Sequence, residues 1–192
     1  MSDPLWTPLV DGHVLMALLG EHHRSALAAA CAEDRDIWGI YSISFDPLNF
    51  DKSFTKLVND ARYRPYAVTI DGRVVGMTSY IDPDHQQGVV QVGMTYIVPR
   101  QRGTGLNDKM KRLMIGHAFA SGYRRVEFRV DQRNERSQAA MEKIGGVREG
   151  LLRQERVTWT GYVRDTVIFS ILRDEWMAKL AEERAGEAAA SR

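Results

Sequence analysis

The stretch MTYIVPRQRGTGLNDKMKRLM, residues 94–114, narrows the possible folds more than any other part of the chain. It opens with Thr95-Tyr96-Ile97-Val98, a β-branched and aromatic run that reads as a strand. Pro99 ends it, because proline offers no N–H to a ladder. After Arg100-Gln101-Arg102-Gly103-Thr104-Gly105 the period changes. Leu106, Met110, Leu113, Met114 and His117 recur at spacings of three and four, one face of a helix. A strand, a basic turn with two glycines and a helix start therefore follow one another. The first turn of a helix carries unpaired N–H groups and the positive end of its dipole. Gly103 and Gly105 permit close backbone approach, and Arg100 and Arg102 add forked cations that match phosphate oxygens. The layout suits a phosphate. A plain strand-to-helix connection with solvated arginines is the other reading. The glycine spacing stops at Gly105, so this is not the G-x-G-x-x-G dinucleotide fingerprint.

The rest of the chain alternates strand and helix signals around this stretch. Residues 14–19 read as a first strand or a short buried segment, and 21–32 as an alanine-rich helix. Residues 33–48 are irregular, and their Trp38, Tyr41 and Phe45 either line a cleft or fill minor core. Residues 49–60 read as a second helix with Phe50, Phe54, Leu57 and Val58 on its apolar face. Residues 66–70 and 73–80 pair about the hairpin signal Asp71-Gly72. A polar loop at 82–88 leads to the strand 89–98, which feeds the basic turn and a helix over 104–120. Val126, Phe128 and Val130 alternate with charges in a half-buried strand at 125–131. Asn134 then caps a helix with Ser137 in its first turn, and Gly145-Gly146 ends it. Residues 147–158 and 162–172 form a long hairpin about Thr160-Gly161. The tail from 181 reads as frayed helix or disorder.

Charge and cysteine usage bound the function. With 26 basic and 25 acidic residues, no bulk attraction to nucleic acid or anionic membrane is expected. Arg124, Arg125 and Arg129 accordingly read as a solvated face. Cys31 is alone, which fits a reducing compartment and a structural thiol. The N-terminus lacks a signal-peptide pattern, and no apolar run approaches the roughly 18–20 residues of a membrane span, so a cytoplasmic location is expected. The five histidines and Cys31 show no ligand spacing, so no metal site is expected; His117 reads as a core histidine.

The spacing Arg100-x-x-Gly103-x-Gly105 after a strand resembles motif A of the GNAT acetyltransferases. Asn134 to Gly145, NERSQAAMEKIG, is similar to the family's N-x-x-S/A…EKLG helix. Arg148 to Arg153 and Gly161 to Thr166 resemble the RimJ/RimL-type branch. The resemblance covers residues 67–176 and is weak before that. It implies an α/β (α+β GNAT) fold over residues 1–180: a single mixed, largely antiparallel central sheet of about seven strands with helices on both faces.

The resemblance also implies acetyl-CoA as donor, coenzyme A as product, and a protein N-terminal or small-molecule amine as acceptor, without a metal. The pantetheine arm is expected on the main chain of Tyr96, Ile97 and Val98, and the pyrophosphate on the turn, at the N–H groups of Arg102, Gly103, Thr104, Gly105 and Leu106. Arg100 and Gln101 flank that turn, and Asn107 follows it. Asn134 is expected at the pantetheine or sulfur end, a role compatible with helix capping. Donors for the reacting carbonyl oxygen are expected near Val98. Many relatives carry a tyrosine where this chain has Met141, which cannot protonate a leaving thiolate; Ser137 matches the branch's serine instead. Glu155 is the first candidate base, against a strand carboxylate merely paired to Arg153 or Arg156; Glu127 and a water relay are alternatives. An acidic groove would favour a protein acceptor, and Glu33, Asp34 and Asp36 do cluster. The rival readings are a non-catalytic acyl-CoA-binding or regulatory module and a nucleotide-binding protein. Monomer and homodimer both stay open.

Overall fold

The computed structural model describes residues 3–190. A hairpin of β1 (Leu9–Asp11) and β2 (Val14–Leu18) leads through a short 3-10 turn into α1 (Arg24–Ala32). A second such turn, Asp36–Ile40, precedes α2 (Phe50–Asn59). Then come β3 (Tyr63–Ile70), β4 (Arg73–Asp84), β5 (Val89–Ile97), α3 (Leu106–Ala120), β6 (Arg125–Asp131) and α4 (Glu135–Lys143). The chain closes with β7 (Val147–Val157), β8 (Val163–Leu172) and α5 (Arg173–Ala190). All eight strands form one sheet in the order β1-β2-β3-β4-β5-β6-β8-β7.

The sheet has one strand more than the sequence suggested. Three residues are too few for an alternating pattern to register, so β1 was invisible; Gly12, at φ +60°, turns it back onto β2. β4 runs to Asp84, past the loop expected from Asp82-Pro83. Asp82 sits at φ +47°, and the register shift between Ile81 and Asp84 takes up the irregularity as a bulge. Helix α3 starts at Leu106 rather than Thr104, with Gly105 at its N-cap. Helix α5 continues through residues 181–190, where Glu183 receives both arms of the Arg112 guanidinium at 2.8 and 2.9 Å.

Alternation assigns the two faces. Thr78 and Tyr80 of β4 both reach Met114 of α3, whereas Tyr96 of β5, on the opposite side, donates to the Ala30 carbonyl of α1 at 2.8 Å. Trp38 stacks on Tyr96 at 4.8 Å, so the 36–41 turn belongs to the α1 face. Trp38 and Phe45 are fully buried core, and Tyr41 is left at the rim. Phe50, Phe54 and Leu57 seat α2, each burial worth roughly 1.5–3 kcal/mol. Cys31 is buried, as a structural thiol should be.

Among the described residues only β5 and β6 run parallel, and they pair briefly: Val89 with Arg125, Val90 with Val126, Gln91 with Glu127. Beyond Gln91 and Glu127 the two strands part. That gap in the middle of a continuous sheet positions the site. Among the described residues no helix is long and apolar enough to cross a membrane.

Candidate active site

The turn after β5 is held open by its own geometry. Pro99–Gln101 makes a single 3-10 turn, and Arg102 donates its amide to the Pro99 carbonyl at 3.1 Å. Gly103 and Gly105 then sit at φ +79° and +89°, left-handed conformations that strain any residue with a Cβ. No side chain among the described residues caps α3. Among the described residues, none accepts a hydrogen bond from the amides of Gly103, Thr104, Gly105, Leu106, Asn107 or Asp108; the first helical bond is Lys109 to Gly105. Six consecutive N–H groups at a helix start are a cradle for an anion.

The arginines of the turn are already engaged. Arg102 donates to Asp34 at 2.5 Å and to the Ile97 carbonyl at 2.9 Å, and Arg100 pairs with Glu33. Glu33 and Asp34 of the acidic cluster are therefore a clasp on the turn. The arginine pair expected to grip a phosphate is largely neutralised, and the backbone is what remains free. Replacing Asp34 by Asn keeps an acceptor for the Ile37 amide, which Asp34 caps at 3.2 Å, and releases the Arg102 charge. Affinity for coenzyme A should rise about three- to tenfold at low salt, and titrations at increasing ionic strength should erase the gain.

A cavity of about 860 Å³ passes through the gap between β5 and β6. It brings together Ile97, Arg102, Gly103, Gly105, Asn107, Asn134, Ser137 and Glu155 from the sequence-derived set. Tyr96, Val98 and Leu106 are packed into the core, so they can offer only main chain. Arg100, Gln101 and Thr104 do not line the cavity, and Thr104 instead donates to the Gln101 carbonyl at 2.9 Å. Val98 cannot supply an amide to a reacting oxygen as expected, because its N–H is committed to the Val75 carbonyl at 2.9 Å. The β4–β5 ladder is interrupted one step earlier, between Gly93 and Tyr96, where Met94 bulges at φ +53°. Tyr41 donates to the Thr95 carbonyl there at 2.6 Å, and burial pushes its phenol up to about 12.

On α4, Asn134 accepts from the Ser137 amide at 3.0 Å, so the capping role is real. Ser137 is half-buried on the cavity wall, while Met141, at the usual tyrosine position, is core. The two faces differ in chemistry. Phe128 of β6 points to the α3 face, where the Lys111 ammonium lies 5.9 Å from its ring centroid, and burial pushes Lys111 down to about 8. Arg129 and Asp131 alternate to the opposite face and meet Glu155, Arg156 and Arg164 there.

Glu155 accepts from Arg156 at 2.7 and 2.8 Å, from Thr166 at 3.1 Å and from Arg129 at 3.4 Å. The Arg156 hydrogen bonds above all hold its carboxyl at about 2, against an ordinary 4.5. Its partner is thus Arg156, not Arg153. Glu127 is taken by Arg125 at 2.8 Å. Arg164 escaped sequence reading, because parity along β8 groups it with Thr166 but nothing in the sequence shows that this face is covered.

The acetyltransferase (GNAT) domain model matches residues 14–147, most of the chain. The chain is similar to the L-2,4-diaminobutyric acid acetyltransferase of Vibrio parahaemolyticus serotype O3:K6, 24% identical over 110 residues, 55% of this chain. That match spans only 61% of the relative's own length. YdaF of Bacillus subtilis (strain 168), provisionally named a ribosomal N-acetyltransferase, is 26% identical over 182 residues, 90% of this chain and 98% of that one. A GCN5-related N-acetyltransferase from Brucella melitensis superposes with a TM-score of 0.83 at 25% identity, covering 90% of this chain and 81% of the other. With the parted parallel strands, the open amide cradle and these likenesses together, the chain belongs to the GNAT acetyltransferase domain family.

Proposed function

We propose that the protein transfers the acetyl group of acetyl-CoA to a primary amine by direct attack within a ternary complex. The run of unpartnered amides from Gly103 to Asp108, opening onto a cavity that crosses the sheet, carries this reading. A diphosphate supplies the acceptors those amides lack. Bound acetyl-CoA supplies an acetyl group activated as a thioester, with a fair leaving group in the thiol. The chain's residues do the rest. The parted edge of β5 offers main chain to an extended arm, and Asn134 and Ser137 face it across the gap. The bulge at Met94 and Thr95 is the place for donors to the carbonyl oxygen as charge develops on it. Holding amine and thioester together through one opening contributes much of the rate. A non-catalytic module is the alternative; thiol release with no added amine and with a panel of amines separates the two. Coenzyme A binding with no release on any amine would favour the module.

Glu155 is better suited to fixing Arg129 and Arg156 than to taking a proton. A carboxyl near 2 has little proton affinity, whereas an α-amine sits near ~8. Deprotonation then falls to water reaching the cavity. In Glu155→Gln, turnover should drop about tenfold while the pH–rate profile keeps its shape, its single rise set by the acceptor amine. A new inflection or a lost one would return Glu155 to the role of base. The same variant tests stability. A carboxyl lowered from 4.5 to about 2 stabilises the fold fully above pH about 4.5, and that contribution disappears as pH falls toward 2. It amounts to about 3 kcal/mol, so acid unfolding of the variant should begin at higher pH and depend less on pH in that window.

A further inference from the structure

Arg164 is a buried and incompletely satisfied charge in the cavity wall. It is 5% exposed, yet its Nε has no hydrogen-bond partner among the described residues. Among the described residues its one hydrogen bond runs from Nη2 to the Arg129 carbonyl at 3.2 Å. The nearest carboxylate, Asp131, stands 3.8 Å from Nε and is spent on Arg133, which reaches it with Nε at 3.0 Å, Nη2 at 2.8 Å and its amide at 2.9 Å. Glu155, the other acid nearby, is spent on Arg156, Arg129 and Thr166. A buried guanidinium with an unfilled fork is costly unless something anionic completes it.

The face on which Arg164 lies says what that anion belongs to. The amide cradle and α3 are on the Phe128 side of β6; Arg164 joins Arg129 and Asp131 on the other. A phosphate held at Gly103 to Asp108 is therefore across the sheet from Arg164. The cavity as a whole presents nine lysines and arginines against four acids, which disfavours polycationic acceptors such as polyamines. A carboxylate matches a planar fork with two parallel hydrogen bonds.

We propose that Arg164 receives a carboxylate of the acceptor, so that the substrate is an amine that also carries a carboxylate. This rests on the acetyltransfer reading above. Free amino acids supply that carboxylate at the α-carbon; a peptide supplies it from an acidic side chain near its N-terminus. The amine then faces the opening between β5 and β6, with Arg129 and Arg156 beside the anion and Glu155 holding both arginines in place.

The test uses wild-type protein with acetyl-CoA and measures thiol release on three sets of acceptors. These are free amino acids, the matching amino-acid amides, and short peptide amides with Asp or Glu against Asn or Gln at the second position. At least one carboxylate-bearing set should exceed its neutral counterpart by thirtyfold or more in kcat/KM, and which set does so identifies the source. Arg164→Gln should raise KM for the preferred acceptor at least thirtyfold, leave activity on the neutral counterpart within about threefold and leave coenzyme A affinity unchanged. Arg164→Lys should recover part of the loss. Neutral acceptors used as well as anionic ones would overturn the proposal, as would equal losses on both in the glutamine variant. A panel with no turnover, and no thermal shift from amino acids in the presence of coenzyme A, would also overturn it. Absence of coenzyme A binding by the wild-type protein would instead remove the acetyltransfer reading itself.

Discussion

Alanine at Gly76 should lower the melting temperature by roughly 6–12 °C and abolish measurable coenzyme A binding, although Gly76 is remote in sequence from the phosphate turn. Gly76 lies on β4 opposite Ile97. A Cβ placed there meets the Tyr96 carbonyl oxygen at 2.2 Å, with the Tyr96 carbonyl carbon at 3.2 Å and Ile97 Cα at 3.3 Å. All three atoms are backbone, so no rotamer change relieves the clash. The strands must separate, at a cost of about 3 kcal/mol or more, which for a chain this size is the stated shift in melting temperature. The end of β5 that is displaced is the end that delivers Pro99 and the amide cradle. Calorimetry with and without coenzyme A checks both halves. A variant that melts normally and binds normally would mean that β5 is not held by that close contact.

The second large effect separates backbone from side chain within the turn itself. Gly105→Val should weaken coenzyme A binding about a hundredfold, roughly 3 kcal/mol, while Arg100→Ala should change it no more than about threefold. Gly105 has φ +89°, a conformation a β-branched residue avoids, so valine re-aims the amides on either side of it. Its Cβ would project into open space, which means the loss comes from backbone reorientation and not from a clash within the protein. Arg100, by contrast, is paired with Glu33 and does not line the cavity. Isothermal titration of the two variants decides the matter. Equal losses would restore the arginines as the principal phosphate contacts.

The local structure around the candidate site is largely legible in the sequence. Strand, proline, glycine turn and helix appear in residues 94–114 because each rests on local rules: β-branching, the missing proline N–H, left-handed glycines and a 3.6-residue period. The same locality explains Asn134, whose cap reaches only three residues along. The departures are local too. β1 is too short to show a period, and the bulge at Asp82 carries β4 into the stretch that reads as a polar loop.

Residues near one another in the chain suffice for most of the elements, for the glycine turn and for the family resemblance. Which charges stay free depends on how distant segments meet in the fold. Glu33 and Asp34 close on Arg100 and Arg102 across 67 and 68 residues, and Glu155 is claimed by Arg129 from another strand. Arg164 is left without a full partner because Asp131 is already taken by Arg133. Electrostatic pairing follows distance in space and burial, and a linear pattern of charges carries neither.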